Sequence, residues 1–112
     1  MKRISYNENI PPIVQAVADI QYGPSPLRVQ FEGSNSFDPQ QDSIQFLWEF
    51  GDGTTSTLPD PSHIFETDSG QPKSYQVQLT ITDELGASTT KKLLISLNNT
   101  PPTVQILSLI HI

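Results

Sequence analysis

Oxygen donors of the kind a hard cation takes stand at three places in the sequence. Ser36 and Asp38 lie two apart in a polar loop, Asp83 closes a long alternating segment, and Asn9 stands just ahead of the first apolar one. Calcium takes about six to eight oxygens from carboxylates, amides, backbone carbonyls and water. In a sandwich of strands, one loop and the ends of neighbouring strands gather at the same pole, which makes these residues candidates for a metal. A plainer role stays open beside it, with Asp38 capping a turn and Asp83 holding a hairpin. The loop is no EF-hand: Asp38-Pro39-Gln40-Gln41-Asp42 lacks the required Gly and the distal Glu.

Other chemistry finds less support. Glu49 and Asp52 are close in sequence, but the first lies on a strand face and the second in a turn, where its carboxylate is expected to bond its own backbone. His63 is expected to pack beside the core with one ring nitrogen bonded to backbone. A Ser-His-Asp triad needs no sequence adjacency, yet no G-x-S-x-G elbow is present. No catalytic constellation emerges, and the domain itself is read as no enzyme. Sugar stacking requires exposed aromatics; Tyr6 and Tyr22 are isolated and the other aromatics fall mostly on inward positions.

The positions that must hold these groups are strands. Ile44, Phe46, Trp48 and Phe50 recur every second residue and share one strand face. Gly51-Asp52-Gly53 then reverses the chain with residues that tolerate positive φ. Tyr75, Val77, Leu79 and Ile81 alternate with Gln76, Gln78, Thr80 and Thr82, the clearest half-buried strand in the sequence. Leu27, Val29 and Phe31 form a shorter one. Residues 13–18, with Ile13 and Val17 among their apolar side chains, read as a first strand, residues 63–65 as a short one, and residues 88–97 as the last, with Leu93, Ile95 and Leu97 inward. Gly23-Pro24-Ser25-Pro26 reads as a turn, residues 33–43 as a polar loop and residues 54–61 as loop or edge, since Pro59 and Pro61 cannot serve a central strand. No useful 3.6-residue apolar period occurs, so the expectation is an all-β, immunoglobulin-like antiparallel sandwich of about seven strands with Trp48 at its centre.

Bulk properties narrow the function. At 112 residues the chain suffices for one domain. It has no cysteine, which removes disulfides and thiolate metal sites. A net charge of −6 argues against nucleic acid and anionic lipid surfaces and suits a hard cation. No apolar run reaches the roughly 18 residues of a membrane span, and residues 1–6 are not followed by the apolar region of a signal peptide.

Trp48-Glu49-Phe50-Gly51-Asp52-Gly53, His63-Ile64-Phe65 and Tyr75-Gln76-Val77-Gln78-Leu79-Thr80-Ile81-Thr82-Asp83 with Gly86 together resemble the PKD (polycystic kidney disease) domain, whose usual strings are W-D-F-G-D-G, H-x-Y and Y-x-V-x-L-x-V-x-D. Phe31-Glu32-Gly33-Ser34 and Ser36-Phe37-Asp38-Pro39 join the resemblance, which covers about residues 9–97. Departures are Glu49 for Asp, Phe65 for Tyr, and Gln40-Gln41 where many members carry Asp-Gly. The resemblance implies a seven-stranded sandwich in an extracellular, cell-surface or periplasmic protein. Bacterial collagenase PKD domains bind calcium, and their ligand positions fall on Asn9, Ser36, Asp38 and Asp83. The acid expected at Gln40 is missing.

The resemblance divides the chain into residues 1–8 as the end of a preceding domain or linker, 9–97 as the sandwich, and 98–112 as linker, start of a next module or non-native tail. Asn98-Asn99-Thr100-Pro101-Pro102 repeats the character of the Pro11-Pro12 segment, as the start of a similar domain would. Lys2-Arg3-Ile4-Ser5-Tyr6 resembles the exit strand of the β-propeller in bacterial glucose/sorbosone dehydrogenases. Leu107-Ser108-Leu109-Ile110-His111-Ile112 resembles translated adaptor sequence, so no role is placed on His111. The expected function is a non-catalytic module that spaces domains or contacts protein or polysaccharide, stiffened by calcium. The alternative is an accessory carbohydrate-binding domain of a sugar-oxidising or carbohydrate-active enzyme. Expected partners are neighbouring domains of the same chain and a polysaccharide or another surface protein.

Overall fold

The structure is a computed structural model that describes residues 10–98. Alternation of apolar and polar residues builds eight strands there: β1 (Val17–Ala18), β2 (Tyr22–Gly23), β3 (Leu27–Glu32), β4 (Ile44–Glu49), β5 (Thr55–Ser56), β6 (Ser62–Phe65), β7 (Lys73–Asp83) and β8 (Ser88–Leu97). Two sheets form, in the orders β1-β3-β6 and β2-β8-β7-β4-β5. A 3-10 turn at Asp68–Gly70 is the only helical element among the described residues.

The sheets close over one core. Val29, Phe31 and Phe65 from the first sheet meet Trp48, Val77, Leu79, Ile81, Ile95 and Leu97 from the second, all fully buried. Phe31 lies 5.0 Å from Trp48 and 5.5 Å from Phe50, ring centre to ring centre. The indole Nε1–H of Trp48 donates to the Pro59 carbonyl at 3.2 Å, so burial leaves no unmet donor. Gly51 must be glycine twice over. Its φ is +86°, and a Cβ there would stand 2.6 Å from the Gln76 backbone oxygen. The reversal is thus pressed against β7, and β4 lies antiparallel to β7 with Trp48 opposite Leu79 and Ile44 opposite Asp83.

Three details differ from the sequence expectation. The first strand is broken: Ile13 bridges Phe37, and only Val17–Ala18 pairs with β3. Pro12, Val14, Ala16 and Ala18 face inward there, while Val17 is 52% exposed, because the chain follows the alternate parity. Next, the Gly23 region is not wholly a turn, since Tyr22–Gly23 adds an eighth strand. Finally, the sandwich is not wholly antiparallel. The chain leaves β1 after Ala18 and crosses to the other sheet, where β2 pairs in parallel with β8.

Candidate metal centre

Period-two geometry carries three carboxylates to one pole. Asp83 continues the inward row Val77-Leu79-Ile81 and is buried at the end of β7. Its Oδ1 accepts from the Leu85 and Ala87 N–H groups at 2.9 and 3.0 Å, which fixes it in the β7–β8 turn. Asp42 sits two residues before Ile44, on the same parity as Phe46 and Trp48, and Ile44 is the residue paired with Asp83. Asp38 enters from the preceding loop. One carboxylate oxygen from each of Asp38, Asp42 and Asp83 lies within 4.8 Å of the others.

Asp38 is 5% exposed. Its Oδ1 accepts from the Gln40 N–H at 2.7 Å, and its carbonyl from Gln41 N–H at 2.8 Å. Its buried Oδ2 has no hydrogen-bond partner among the described residues. A buried ionised oxygen without a partner is costly, and a cation is the group that would satisfy it. Two oxygens bound to one calcium at about 2.3–2.6 Å stand at most about 5.2 Å apart, so the 4.8 Å spacing fits that ion. Burial, then the charges of Asp38, Glu84 and Asp83, push the Asp42 carboxyl above its usual range. The same crowding of negative charge favours a bound cation.

Of the remaining expected ligands, Ser36 is described and Asn9 is not. Ser36 is buried beside Asp38, but its hydroxyl accepts from the Gln15 N–H at 2.9 Å and stands 3.4 Å from the Gln15 carbonyl. Asn9 lies outside the described residues. Gln40 accepts at Oε1 from the Ile10 N–H at 2.8 Å. Ser36 and Gln40 therefore fasten residues 10–15 onto the loop that carries Asp38. Asp42 was not among the expected ligands, although extending the Ile44-Phe46-Trp48 row backwards by one step would have found it.

His63 also departs from expectation. Its ring stacks on Phe50 at 4.2 Å, and Nε2 bonds the Asp52 carboxylate at 2.8 Å rather than backbone. Asp52 does bond its own backbone, accepting from the Thr54 N–H at 3.1 Å, and it also accepts from the Thr54 hydroxyl. The carboxylate thus joins Thr54 and His63, and the Thr54 hydroxyl stands 3.4 Å from His63 Nε2.

The fold is an immunoglobulin-like β-sandwich with an acidic pole. The family model described as PKD domain matches residues 9–96, and the chain belongs to the PKD domain family. It is 32% identical over 75 residues to Collagenase ColA of Bacillus cereus, a match that takes in 67% of this chain and 7% of that protein. The crystal structure of the PKD1 domain from Vibrio cholerae metalloprotease PrtV is 30% identical, with a TM-score of 0.64 over 80% of this chain and all of that one. A carbohydrate-binding module structure from the β-sandwich superfamily is 29% identical, with a TM-score of 0.68 over 80% of this chain and 35% of that one. The chain thus spans a small part of the collagenase it matches.

Partial burial of Asp52 would raise its carboxyl, but the Thr54 hydroxyl, His63 and the Thr54 N–H outweigh it and hold the group below its ordinary 3.8. Folding therefore weakens proton binding here, so the stabilisation is complete above about pH 3.8 and is lost as pH falls through the lower folded value. Asp52→Asn is expected to lose about 0.5–1 kcal/mol at pH 7, allowing for the partial exposure of the pair. Paired melts at pH 7 and pH 2.5 should show the difference between variant and parent shrinking at the lower pH.

Proposed function

We propose that this domain is a non-catalytic accessory module that spaces and orients neighbouring domains, and that a calcium ion at its Asp38 pole stiffens the junction with whatever precedes residue 10. The observation that carries the reading is the buried, unpartnered Oδ2 of Asp38 beside Asp83. Ser36 and Asn9 complete the family's ligand set as expected from the resemblance. The chain's own contribution is positional. Asp38 is immobilised by the loop it caps, Asp83 by its hairpin, and residues 10–15 are fastened to the same loop through Gln40 and Ser36.

The two ends support a spacer. The N-terminal segment leaves from the Asp38 pole. At the opposite end of β7, Asn98 bridges Ser25 N–H at 3.1 Å and the Gln71 carbonyl at 2.9 Å. β7 has 11 residues, so the two junctions stand about 35 Å apart at about 3.3 Å per residue. An extracellular, cell-surface or periplasmic location fits the relatives, one of which is named for collagen, an extracellular substrate.

Melting in excess calcium against chelator tests the metal. Calcium at about 100 times its dissociation constant adds about 2.7 kcal/mol, which for a domain of this size is a Tm rise on the order of 10 °C. Asp38→Ala should abolish the rise; equal melting of the parent in both buffers would remove calcium from the account.

The likeness to a carbohydrate-binding module favours a second reading, an accessory polysaccharide-binding domain of a carbohydrate-active or sugar-oxidising enzyme. Tyr22 and Phe37 are the large exposed aromatics among the described residues, and they stand on β2 and in the Asp38 loop. Tyr22 pairs with Ser96 at the edge of the large sheet, on its outward parity, while Phe37 stands apart from it in the loop. Depletion of the domain from solution by insoluble polysaccharide would support this reading, and full recovery in the supernatant would reject it.

A further inference from the structure

We infer that Asp42 is a cation ligand in this chain, supplying the third carboxylate that position 40 lacks, while Gln40 serves the linker instead. The inference rests on the calcium reading above and adds a ligand to it.

Three observations carry it. The Asp42 carboxylate lies within 4.8 Å of those of both Asp38 and Asp83, although Asp42 is four residues from the first and 41 from the second. It precedes β4 by two residues, on the parity of Ile44, which pairs with Asp83 at the end of β7. Asp38, which shares this cluster, has a buried Oδ2 with no hydrogen-bond partner among the described residues. Ser43, next to Asp42, donates its N–H to Glu84 Oε2 at 2.8 Å, which ties this stretch to the β7–β8 turn.

Gln40 is engaged elsewhere. Its side-chain oxygen accepts from Ile10 N–H, while its own N–H donates to Asp38 Oδ1. One residue thereby touches both the carboxylate and the linker. Gln41 follows with φ +65°, a left-handed conformation that folds the loop back and lets Asp42 approach from the β4 side. Ligand charge is thus kept at three carboxylates, with two supplied by the family positions and one by a new position. Ligand charge and rigidity set calcium affinity, so Asp42 is expected to govern affinity more than the existence of the site.

Calorimetric titration of calcium chloride into the full chain tests this, with Asp42→Asn, Asp38→Asn and Asp68→Asn alongside. Asp68, in the 3-10 turn before β7, controls for loss of one general negative charge. The parent and Asp68→Asn should bind one ion with affinities within twofold of each other, and Asp42→Asn at least tenfold more weakly. In chelator, Asp42→Asn should melt at the parent's temperature or above, because it relieves repulsion; a merely structural aspartate would melt lower. Binding by Asp42→Asn within twofold of the parent, with Asp38→Asn defective, overturns the inference and leaves the calcium reading intact. No binding by the parent overturns both.

Discussion

Burial of Trp48 is the constraint on which the other placements depend. An indole of this size removes about 150–250 Å² from water, several kcal/mol at about 25 cal/mol per Å², against a total stability of about 5–15 kcal/mol for a domain. That gain requires specific neighbours. A Cβ on Gly33 would come within 3.0 Å of the indole, so position 33 must be bare. The indole N–H needs the Pro59 carbonyl, and the same carbonyl accepts from Gly33 N–H at 2.9 Å. Asp60 adds bonds from Oδ1 to the Gly33 and Ser34 N–H groups. The loop after β5 and the turn after β3 are both fixed by the side chain at the centre. With Trp48 opposite Leu79, the register of β4 on β7 is fixed too, and a slip of one residue would turn its apolar row outward.

The same register decides what stands at the pole. The inward row of β7 ends in Asp83, and Asp42 stands two residues before β4 on the parity of its inward row. Asp83 is buried and Asp42 partly so. Asp38 comes to them on a loop whose backbone is held by its own carboxyl and carbonyl. A fold that sought stability alone would not leave a buried carboxylate oxygen unmatched. Its presence beside the anchoring points of residues 10–15 is the structural reason to read this end as a junction whose stiffness depends on a bound ion.

What could be read from sequence followed the strength of the alternation. β7 carries four apolar residues at strict spacing, and both the strand and Asp83 as its closing residue came from that pattern. Trp48 and its row were equally legible. The first strand was legible only as an apolar stretch, because apolar residues stand on both parities, at Ile13 and Val17 and at Val14, Ala16 and Ala18, and so mark no face. β2 was hidden because two residues among Gly and Pro carry no period. The His63–Asp52 bond joins residues 11 apart, one in the β4–β5 turn and the other on a strand of the opposite sheet, a contact that motif spacing does not express. Asp42 was missed for a different reason: the row was stopped at its last apolar residue, although a strand's parity continues into the loop that feeds it. Gln41 shows the limit of family patterns, since a residue with a side chain takes the positive φ where many members place glycine.

The central claim is that cation binding at the Asp38 pole stiffens the N-terminal junction. Backbone 15N relaxation with calcium and with chelator measures this directly, on the picosecond-to-nanosecond motions of the amides of Ile10, Ile13, Val14 and Gln15. The account predicts that order parameters at Ile10 and Gln15, whose N–H groups bond Gln40 and Ser36, rise on calcium addition while those of β7 and β8 stay constant. Unchanged values at Ile10 and Gln15 in a calcium-saturated sample would contradict it and leave the ion with no part in the junction.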